Sequence, residues 1–245
     1  MTLQVLHAQR DTWLNKPVLR AIYEDYYRRI REQAKSGRSL EIGGGSGNLK
    51  QVLPDVVSID IVATPWLDVA ADAQALPFQP ETFDNLIMID VLHHIEFPVR
   101  FFAEAQRVLR PGGRLILLEP AITPISWIFY SLLHPEPVIM GADPLADGAS
   151  DPNRQPFDAN QAIPTLTFGR FREHFCRRFP RLSVAHVERL SFFAYPLSGG
   201  FRPWCLLPRR FVSPLLKIED SLAPILGHFL GFRLLVAIEK KKAGA

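Results

Sequence analysis

Apolar residues recur along the chain with two spacings, one typical of helices and one typical of strands. Residues 17–34 place apolar side chains at helical intervals behind Pro17, which predicts an amphipathic helix beginning at that proline. Further helices are expected over 47–53, 98–109 and 168–179. Short apolar runs predict strands, and these runs cover 38–42, 56–60, 66–72, 83–90, 114–119, 182–195 and 232–241.

Strands and helices alternate at the spacing of βαβ units as far as Glu119, which predicts an α/β fold with a parallel sheet covered on both faces. Two later stretches, 120–165 and 196–231, are too long for ordinary connections and are rich in Pro and apolar residues. We therefore expect a cap made of these two insertions. They belong to a domain over 37–245, which follows an N-terminal helical cover over 1–36.

Composition narrows the class of protein without deciding its chemistry. The chain has 245 residues, 47% hydrophobic and 22% charged, which suits one large globular domain. The sequence shows no secretory signal, and its two cysteines lack CxxC spacing, so we expect free thiols and a cytoplasmic location. The net charge of +3 is distributed as an acidic middle between basic ends. This pattern indicates either ordinary solvated surface or a cation-binding centre flanked by surfaces for an anionic partner.

The candidate chemistry begins at the turn "EIGGGSG", residues 41–47. The dinucleotide pattern GxGxxG fails because Asn48 takes its third glycine position, and the phosphate-loop pattern fails because no glycine precedes Lys50. A glycine turn leaves no Cβ between the backbone and a flat ligand. A carboxylate one turn earlier can pair with an ammonium group, whereas it would repel a pyrophosphate. The residues of this turn that we assign to ligand binding are Glu41, Gly43, Gly44, Gly45 and Gly47.

Acidic residues also follow the next predicted strands. Asp60 ends the second strand, 17 residues after Gly43, and Asp72 follows the third in "DAQALPF". The stretches "FDNLIMIDVLHHI" and "RVLRPGGRLILLEP" come next. Together these five elements, over 39–120, resemble the motifs of class I S-adenosylmethionine-dependent methyltransferases. The resemblance is to the small-molecule branch that includes the ubiquinone-biosynthesis type (methyltransferase type 11).

This resemblance implies a Rossmann-like, doubly wound, seven-stranded and mostly parallel sheet whose last strand is antiparallel. It implies S-adenosylmethionine as cofactor and S-adenosylhomocysteine as product. In the family an acid in the position of Asp60 holds the ribose, and one in the position of Asp72 accepts from the adenine amino group. The other residues assigned to the cofactor are Ile61, Ala73 and, at the methionine pocket, Asp90.

One feature departs from the family pattern. Only eleven residues separate Asp60 from Asp72, so the helix usual between the second and third strands is reduced to a short loop. We expect Trp66 or Ile61 to cover the adenine face, with core packing as the alternative for Trp66.

Methyl transfer is an in-line displacement, in which the protein aligns two atoms and excludes water and a base can assist. The candidate catalytic residues are His93, His134 and Glu119, which lie at or beyond the ends of the fourth and fifth strands. His93 could instead only support the methionine loop. The series Asp90-x-x-His93-His94 also resembles the E-x-x-E-H metal site of some methyltransferases and could hold zinc or manganese with His134. Because the sequence gives no fourth ligand with certainty, we assign no metal.

The two insertions carry aromatic residues and scattered arginines, which favour a small or lipid-like acceptor, partly apolar and in one interpretation anionic. Closure of the cap's own small core is the alternative explanation of these residues. We expect methylation at oxygen rather than carbon, and no nucleic-acid partner. A protein or RNA methyltransferase, and a non-catalytic S-adenosylmethionine-binding module, remain alternatives. Peripheral membrane contact through 124–133 and 213–230 is a further hypothesis, and the oligomeric state stays open.

Overall fold

A seven-stranded sheet forms the centre of the fold in a computed structural model that describes residues 2–242. The spatial order is β3-β2-β1-β4-β5-β7-β6, and β7 runs antiparallel to both of its neighbours while the other pairs are parallel. The predicted doubly wound sheet with an antiparallel last strand is therefore confirmed. The strands are β1 Ser39–Ile42, β2 Val57–Asp60, β3 Val69–Ala70, β4 Phe83–Ile89, β5 Leu109–Pro120, β6 Leu182–Leu190 and β7 Arg233–Lys240.

Helices cover both faces of this sheet. The helices are α1 Thr2–Asn15, α2 Pro17–Gln33, α3 Pro98–Val108, α4 Pro124–Leu133, α5 Ile163–Phe168, α6 Arg172–Arg178, α7 Ala194–Ser198 and α8 Val212–Leu230. On one face Phe102 of α3 packs against three phenylalanines of the α5–α6 region at ring-centroid distances of 4.8 to 6.2 Å. On the other face α2 buries Tyr23, Tyr26 and Tyr27. Because β4 is buried from both sides, its second half, residues 86–89, is a continuous apolar run in the sequence.

Four predicted elements differ from the observed ones. The helix expected over 47–53 is a single 3-10 turn, Leu49–Gln51, because Gly47 has a φ of 76° and Pro54 follows closely. The helix expected over 168–179 is divided into α5 and α6, because Gly169 leaves the helical conformation. The strand expected over 66–72 shortens to β3. The strand expected over 182–195 ends at Leu190, where Ser191 has a φ of 61°.

The N-terminal helices and the two insertions meet on one side of the sheet. Tyr130 of α4 donates a hydrogen bond to the carbonyl of Phe232 at 3.0 Å, and α4 also packs against α8. The ammonium of Lys16, between α1 and α2, donates to three backbone carbonyls within 200–204 at 2.7 to 2.8 Å. Among residues 2–242 no helix is long and apolar enough to cross a membrane.

Candidate functional site

The glycine turn leaves β1 in backbone conformations that other residues rarely adopt. Gly43, Gly45 and Gly47 have φ values of 71°, 48° and 76°. A Cβ at Gly47 would also lie 2.7 Å from Cδ1 of Trp66, which is closer than real Cβ contacts. Glycine is thus required here both by conformation and by the neighbouring indole. The result is a bare backbone edge at the carboxyl end of β1, where ligands bind in open α/β sheets.

Asp60 fixes this turn from the end of β2. Its Oδ2 accepts the N–H of Gly45 at 2.9 Å, and its Oδ1 accepts the N–H of Val62 at 2.9 Å. Each carboxylate oxygen keeps a further lone pair, so the group can still accept hydrogen bonds from vicinal hydroxyls. Ile61 and Asp72 line the same end of the cleft, with Ile61 57% exposed. Together with Ala73 they form a shallow wall that offers an apolar face and an acceptor.

Glu41 lies directly under the turn and is only 5% exposed. The hydroxyl of Ser58 donates to its carboxylate. Burial raises the pKa of Glu41 to about 7, the nearby Asp60 adds to this rise, and the Ser58 hydrogen bond opposes it. A buried carboxyl group that is half protonated at neutral pH and lines a cleft is suited to receive a cation.

The short connection between β2 and β3 is compensated by Trp66 and α1. The indole Nε1 of Trp66 donates to the carbonyl of Gly45 at 2.8 Å, and its ring contacts His7 and the guanidinium of Arg10. Arg10 also donates to the carbonyl of Ser46 at 2.7 Å. Trp66 therefore supports the turn from outside, whereas the neighbouring Ile61 faces the cleft. The shortened loop and the N-terminal helix together hold the turn in place.

Asp90 ends β4 with a φ of 58° and pairs with Arg233, at the start of β7. Nη1 and Nη2 of the Arg233 guanidinium donate to Oδ1 and Oδ2 of Asp90 at 2.5 and 2.6 Å. Arg233 is 2% exposed and lies against the rings of Tyr26 and Tyr195. Both oxygens of Asp90 are thus engaged by a residue that the sequence analysis did not single out. Asp90 lines the cleft, as do the glycine turn and Asp72.

The three predicted catalytic residues gather at the other end of the cleft. Nδ1 of His93 lies 2.7 Å from Oε2 of Glu119, whose Oε1 accepts the N–H groups of Val91 and Leu92. His93 is 3% exposed. Burial alone would lower the pKa of His93, but the hydrogen bonds and charges of Glu119 and Glu136 raise it to about 10. Glu119 and Glu136 thus lie on opposite sides of the His93 ring, one beside each nitrogen.

Glu136 completes this cluster and was not found from the sequence. Its Oε2 lies 3.5 Å from Nε2 of His93 and 3.9 Å from Nδ1 of His134, and its Oε1 lies 4.0 Å from Nε2 of His94. Burial raises the pKa of Glu136, but the three histidines outweigh it and the pKa falls to about 2. The one available signal was an acidic residue between two prolines in an otherwise apolar insertion, "HPEP".

The side chains that could bind a metal in the structure differ from those predicted from the sequence. Asp90 is engaged by Arg233 and does not join the histidine pair, which corrects the series Asp90-x-x-His93-His94. Within residues 2–242, His93, His94 and Glu136 are the group of metal-binding side chains, with donor atoms all within 4.8 Å of one another.

The glycine turn and the cluster around His93 and Glu136 lie at the two ends of one cleft of about 830 Å³. Its wall on the cap side contains Phe129 and Tyr130 of α4, which meet Phe232 edge-to-face at 5.2 and 5.8 Å between ring centroids. Ligand clefts of roughly 300–1,000 Å³ hold drug-sized molecules, so this one has room for a cofactor and a small acceptor side by side.

Comparisons with known proteins agree with this geometry. Residues 40–117 match the family model described as a methyltransferase domain. The demethylmenaquinone methyltransferase of Roseiflexus castenholzii is 31% identical over 135 residues, 45% of this chain and 57% of that protein. The ubiquinone/menaquinone biosynthesis C-methyltransferase UbiE of Paracoccus denitrificans is 39% identical over 64 residues, 25% of this chain and 26% of that protein. The chain thus spans about half the length, or less, of the curated relatives it matches.

Among solved structures, the geranyl diphosphate C-methyltransferase from Streptomyces coelicolor has a TM-score of 0.51 to this chain. It is 12% identical, and the match covers 90% of this chain and 80% of that one, which shows a shared fold. In its fold, in its glycine turn and in the match over residues 40–117, the chain is similar to class I S-adenosylmethionine-dependent methyltransferases of the small-molecule type.

Proposed function

We propose that this chain transfers a methyl group from S-adenosylmethionine to a small, partly apolar acceptor that carries an ionisable hydroxyl. The observation that carries the proposal is the single cleft, which joins the glycine turn and its acids at one end to an aromatic wall and the His93–Glu136 cluster at the other. An in-line transfer needs the two reactants on one axis with water excluded.

The cofactor end fits S-adenosylmethionine residue by residue. Glu41 would pair with its ammonium group, Asp60 would accept the ribose hydroxyls, and Ile61, Asp72 and Ala73 would contact adenine. The fit rests on a buried, readily protonated carboxyl group and on the open backbone of the glycine turn. When bound, the cofactor supplies an activated methyl group on a sulfonium.

At the acceptor end, Glu136 would accept a hydrogen bond from the acceptor hydroxyl and orient it. His93, supported by Glu119, would hold that carboxylate, and His134 would close the cluster from the end of α4. The pKa of His94 is lowered to about 4 by burial and by the charge of His93, so its ring is neutral at neutral pH and can take part in proton transfer. Oxygen is the atom we propose to be methylated.

Two relatives support the acceptor class by name, since they are a demethylmenaquinone methyltransferase and a quinone-biosynthesis C-methyltransferase. A quinol-like ring has the apolar body that Phe129, Tyr130 and Phe232 can contact and the hydroxyl that Glu136 can bind. Transfer to a ring carbon of the same acceptor is the second outcome to be tested. Nuclear magnetic resonance of the product distinguishes a methoxy group from a ring methyl group.

The first test is calorimetric titration of S-adenosylhomocysteine into the full chain. We expect micromolar binding, and a loss of at least about tenfold in Asp60→Ala, because a carboxylate that accepts two backbone N–H bonds and two ligand hydroxyls is removed. Asp55→Ala is the matched control, since Asp55 is exposed and does not line the cleft. A folded parent that fails to bind refutes the proposal.

The second test is a search for the methylated product in cell extract supplied with labelled S-adenosylmethionine. Label in a small-molecule fraction supports the proposal. Label in protein or RNA instead favours those alternatives, and tight cofactor binding without any labelled product favours a non-catalytic binding module.

We also propose that a lipid-like acceptor reaches the cleft from a membrane surface. The supporting feature is an exposed apolar patch on α4 and α8, which pack against each other beside the aromatic wall. Residues of this patch that are at least 45% exposed are Ile125, Trp127, Ile128, Leu132, Leu133, Ile218, Ile225 and Phe229.

Flotation with anionic vesicles tests this contact. We expect the parent chain to float, and the double variant Trp127→Ser, Leu132→Ser to float much less, because both side chains would enter the headgroup region. Leu14→Ser is the matched control, since Leu14 is 48% exposed but lies on α1. Equal flotation of all three proteins, or none, refutes the contact.

A further inference from the structure

We propose that His93, His94 and Glu136 bind a divalent transition-metal ion, with an open coordination position toward the acceptor. All three side chains line the cleft, and their donor atoms lie within 4.8 Å of one another. Imidazole and carboxylate ligands suit zinc, manganese, iron and nickel, and of these zinc is the natural first probe.

The distances in the cluster fit a shared ion better than direct pairing. Nε2 of His93 and Oε2 of Glu136 are 3.5 Å apart, although a charged hydrogen bond between them would close to roughly 2.7–2.9 Å. Two donors on a tetrahedral zinc, with bonds of about 2.0–2.1 Å, lie roughly 3.4 Å apart. Nε2 of His94 and Oε1 of Glu136 are 4.0 Å apart, so a small side-chain rotation brings the third donor into range.

The surroundings of the cluster are those of metal ligands. Nδ1 of His93 is hydrogen-bonded to Glu119, which directs Nε2 outward with its lone pair available to a metal. A carboxylate on the second ring nitrogen is the usual partner of a metal-bound histidine. Nε2 of Gln161 donates to Glu136 and holds its carboxylate. Two carboxylates, Glu119 and Glu136, flank the position, and a divalent cation would balance their charge.

Two buried polar atoms beside the cluster lack a hydrogen-bond partner among residues 2–242. They are Nδ1 of His94 and Oε1 of Gln161, which belongs to a residue only 2% exposed. An acceptor such as Oε1 of Gln161 is where a water molecule on the ion could donate its hydrogen bond. Oε1 of Gln161 is an independent observation, because a pure ion-pair network would leave this buried acceptor unexplained.

The role of such an ion rests on the proposed function, whereas its binding does not. An acceptor hydroxyl at the open position would bond the metal through oxygen, its O–H bond would break, and the proton would pass to water in the cleft. The oxygen would keep the electron pair and face the methyl donor. A metal lowers the pKa of a bound hydroxyl, so the acceptor could lose its proton without a side chain acting as base.

The test uses the full chain after removal of metal by a chelator. We expect one zinc ion per chain by calorimetry, and visible absorption bands of low-symmetry coordination when cobalt replaces zinc. Glu136→Gln and His94→Gln should each weaken zinc binding at least about 100-fold and remove the cobalt bands. Glu96→Gln is the matched control, since Glu96 lines the same cleft outside the cluster, and its zinc affinity should equal that of the parent.

S-adenosylhomocysteine binding, measured on the same metal-free samples, separates this inference from the proposed function. Absence of stoichiometric zinc binding in a chain that still binds S-adenosylhomocysteine overturns the metal site alone. Equal zinc affinity of Glu136→Gln and the parent also overturns it. Zinc binding that depends on Glu136 and His94 supports the site, even in a chain that does not bind S-adenosylhomocysteine.

Discussion

Replacing Glu41 by glutamine tests the proposed pairing of its carboxylate with the ammonium group of the cofactor. In the ligand-free chain burial raises the pKa of Glu41 from 4.5 to about 7. An ammonium group beside the carboxylate favours the charged form and returns the pKa toward its ordinary value. Binding at slightly acidic pH must therefore release a proton, and affinity must rise as pH rises through 7.

The magnitude follows from these two pKa values. With a pKa of about 7 in the free chain and about 4.5 in the complex, the affinity for S-adenosylhomocysteine increases about 20-fold between about pH 5.5 and pH 7.5. This factor corresponds to about 1.8 kcal/mol. At about pH 6 roughly 0.9 proton is released for each ligand bound.

Calorimetry in two buffers with different ionisation enthalpies measures both quantities. Glu41→Gln should bind more weakly at neutral pH and should lose the pH dependence and the proton release. The same variant should be more stable without ligand above pH 7, because ionising the buried carboxyl group costs the folded parent of order 3 kcal/mol as pH rises from 4.5 to 7. Binding by the parent that is independent of pH, with no net proton exchange, would refute the reasoning.

Three further substitutions test the supports of the cleft. Gly47→Ala should lower the free energy of unfolding by about 1–3 kcal/mol in urea denaturation, since the residue has a φ of 76°, while Gly141→Ala, which meets open space, should change it by less than about 0.5 kcal/mol. Arg233→Met should cost about 1–3 kcal/mol in the same assay by leaving Asp90, whose side chain is 29% exposed, unpaired; an unchanged free energy of unfolding would contradict a stabilising ion pair. Trp66→Ala should make α1 more sensitive to limited proteolysis and weaken S-adenosylhomocysteine binding, and unchanged cleavage would show that the indole does not hold the helix.

The sheet and the cofactor end could be predicted because their signals are local. The strand that contains Glu41, the glycine turn and Asp60 lie within a short stretch, and the buried parallel strands are short segments rich in apolar residues. Within the predicted N-terminal helical cover, α1 was not given bounds of its own, because only two large apolar residues along it, Leu6 and Trp13, are buried, which is too few for a visible stripe.

The other end of the cleft could not be assembled from the sequence. Glu136 meets His93 only because α4 leaves β5 and turns back over the strand ends, and Arg233 meets Asp90 across the sheet from the last strand. Neither contact can be predicted from a spacing between residues in the sequence, because each depends on how distant elements pack. The divided α5–α6 helix shows the same limit, since one glycine decided its break.

Lys16 links two parts of the cleft wall, the helix α1 and the segment 200–204. Its ammonium holds three carbonyls of the segment 200–204, which borders the acceptor end, while α1 next to it borders the cofactor end. Displacing the segment 200–204 would therefore disturb α1, and the two ligands should bind and leave in a fixed order. Product-inhibition kinetics would show this order in the parent and a random order in Lys16→Met; a random order in the parent would show that the two segments move independently.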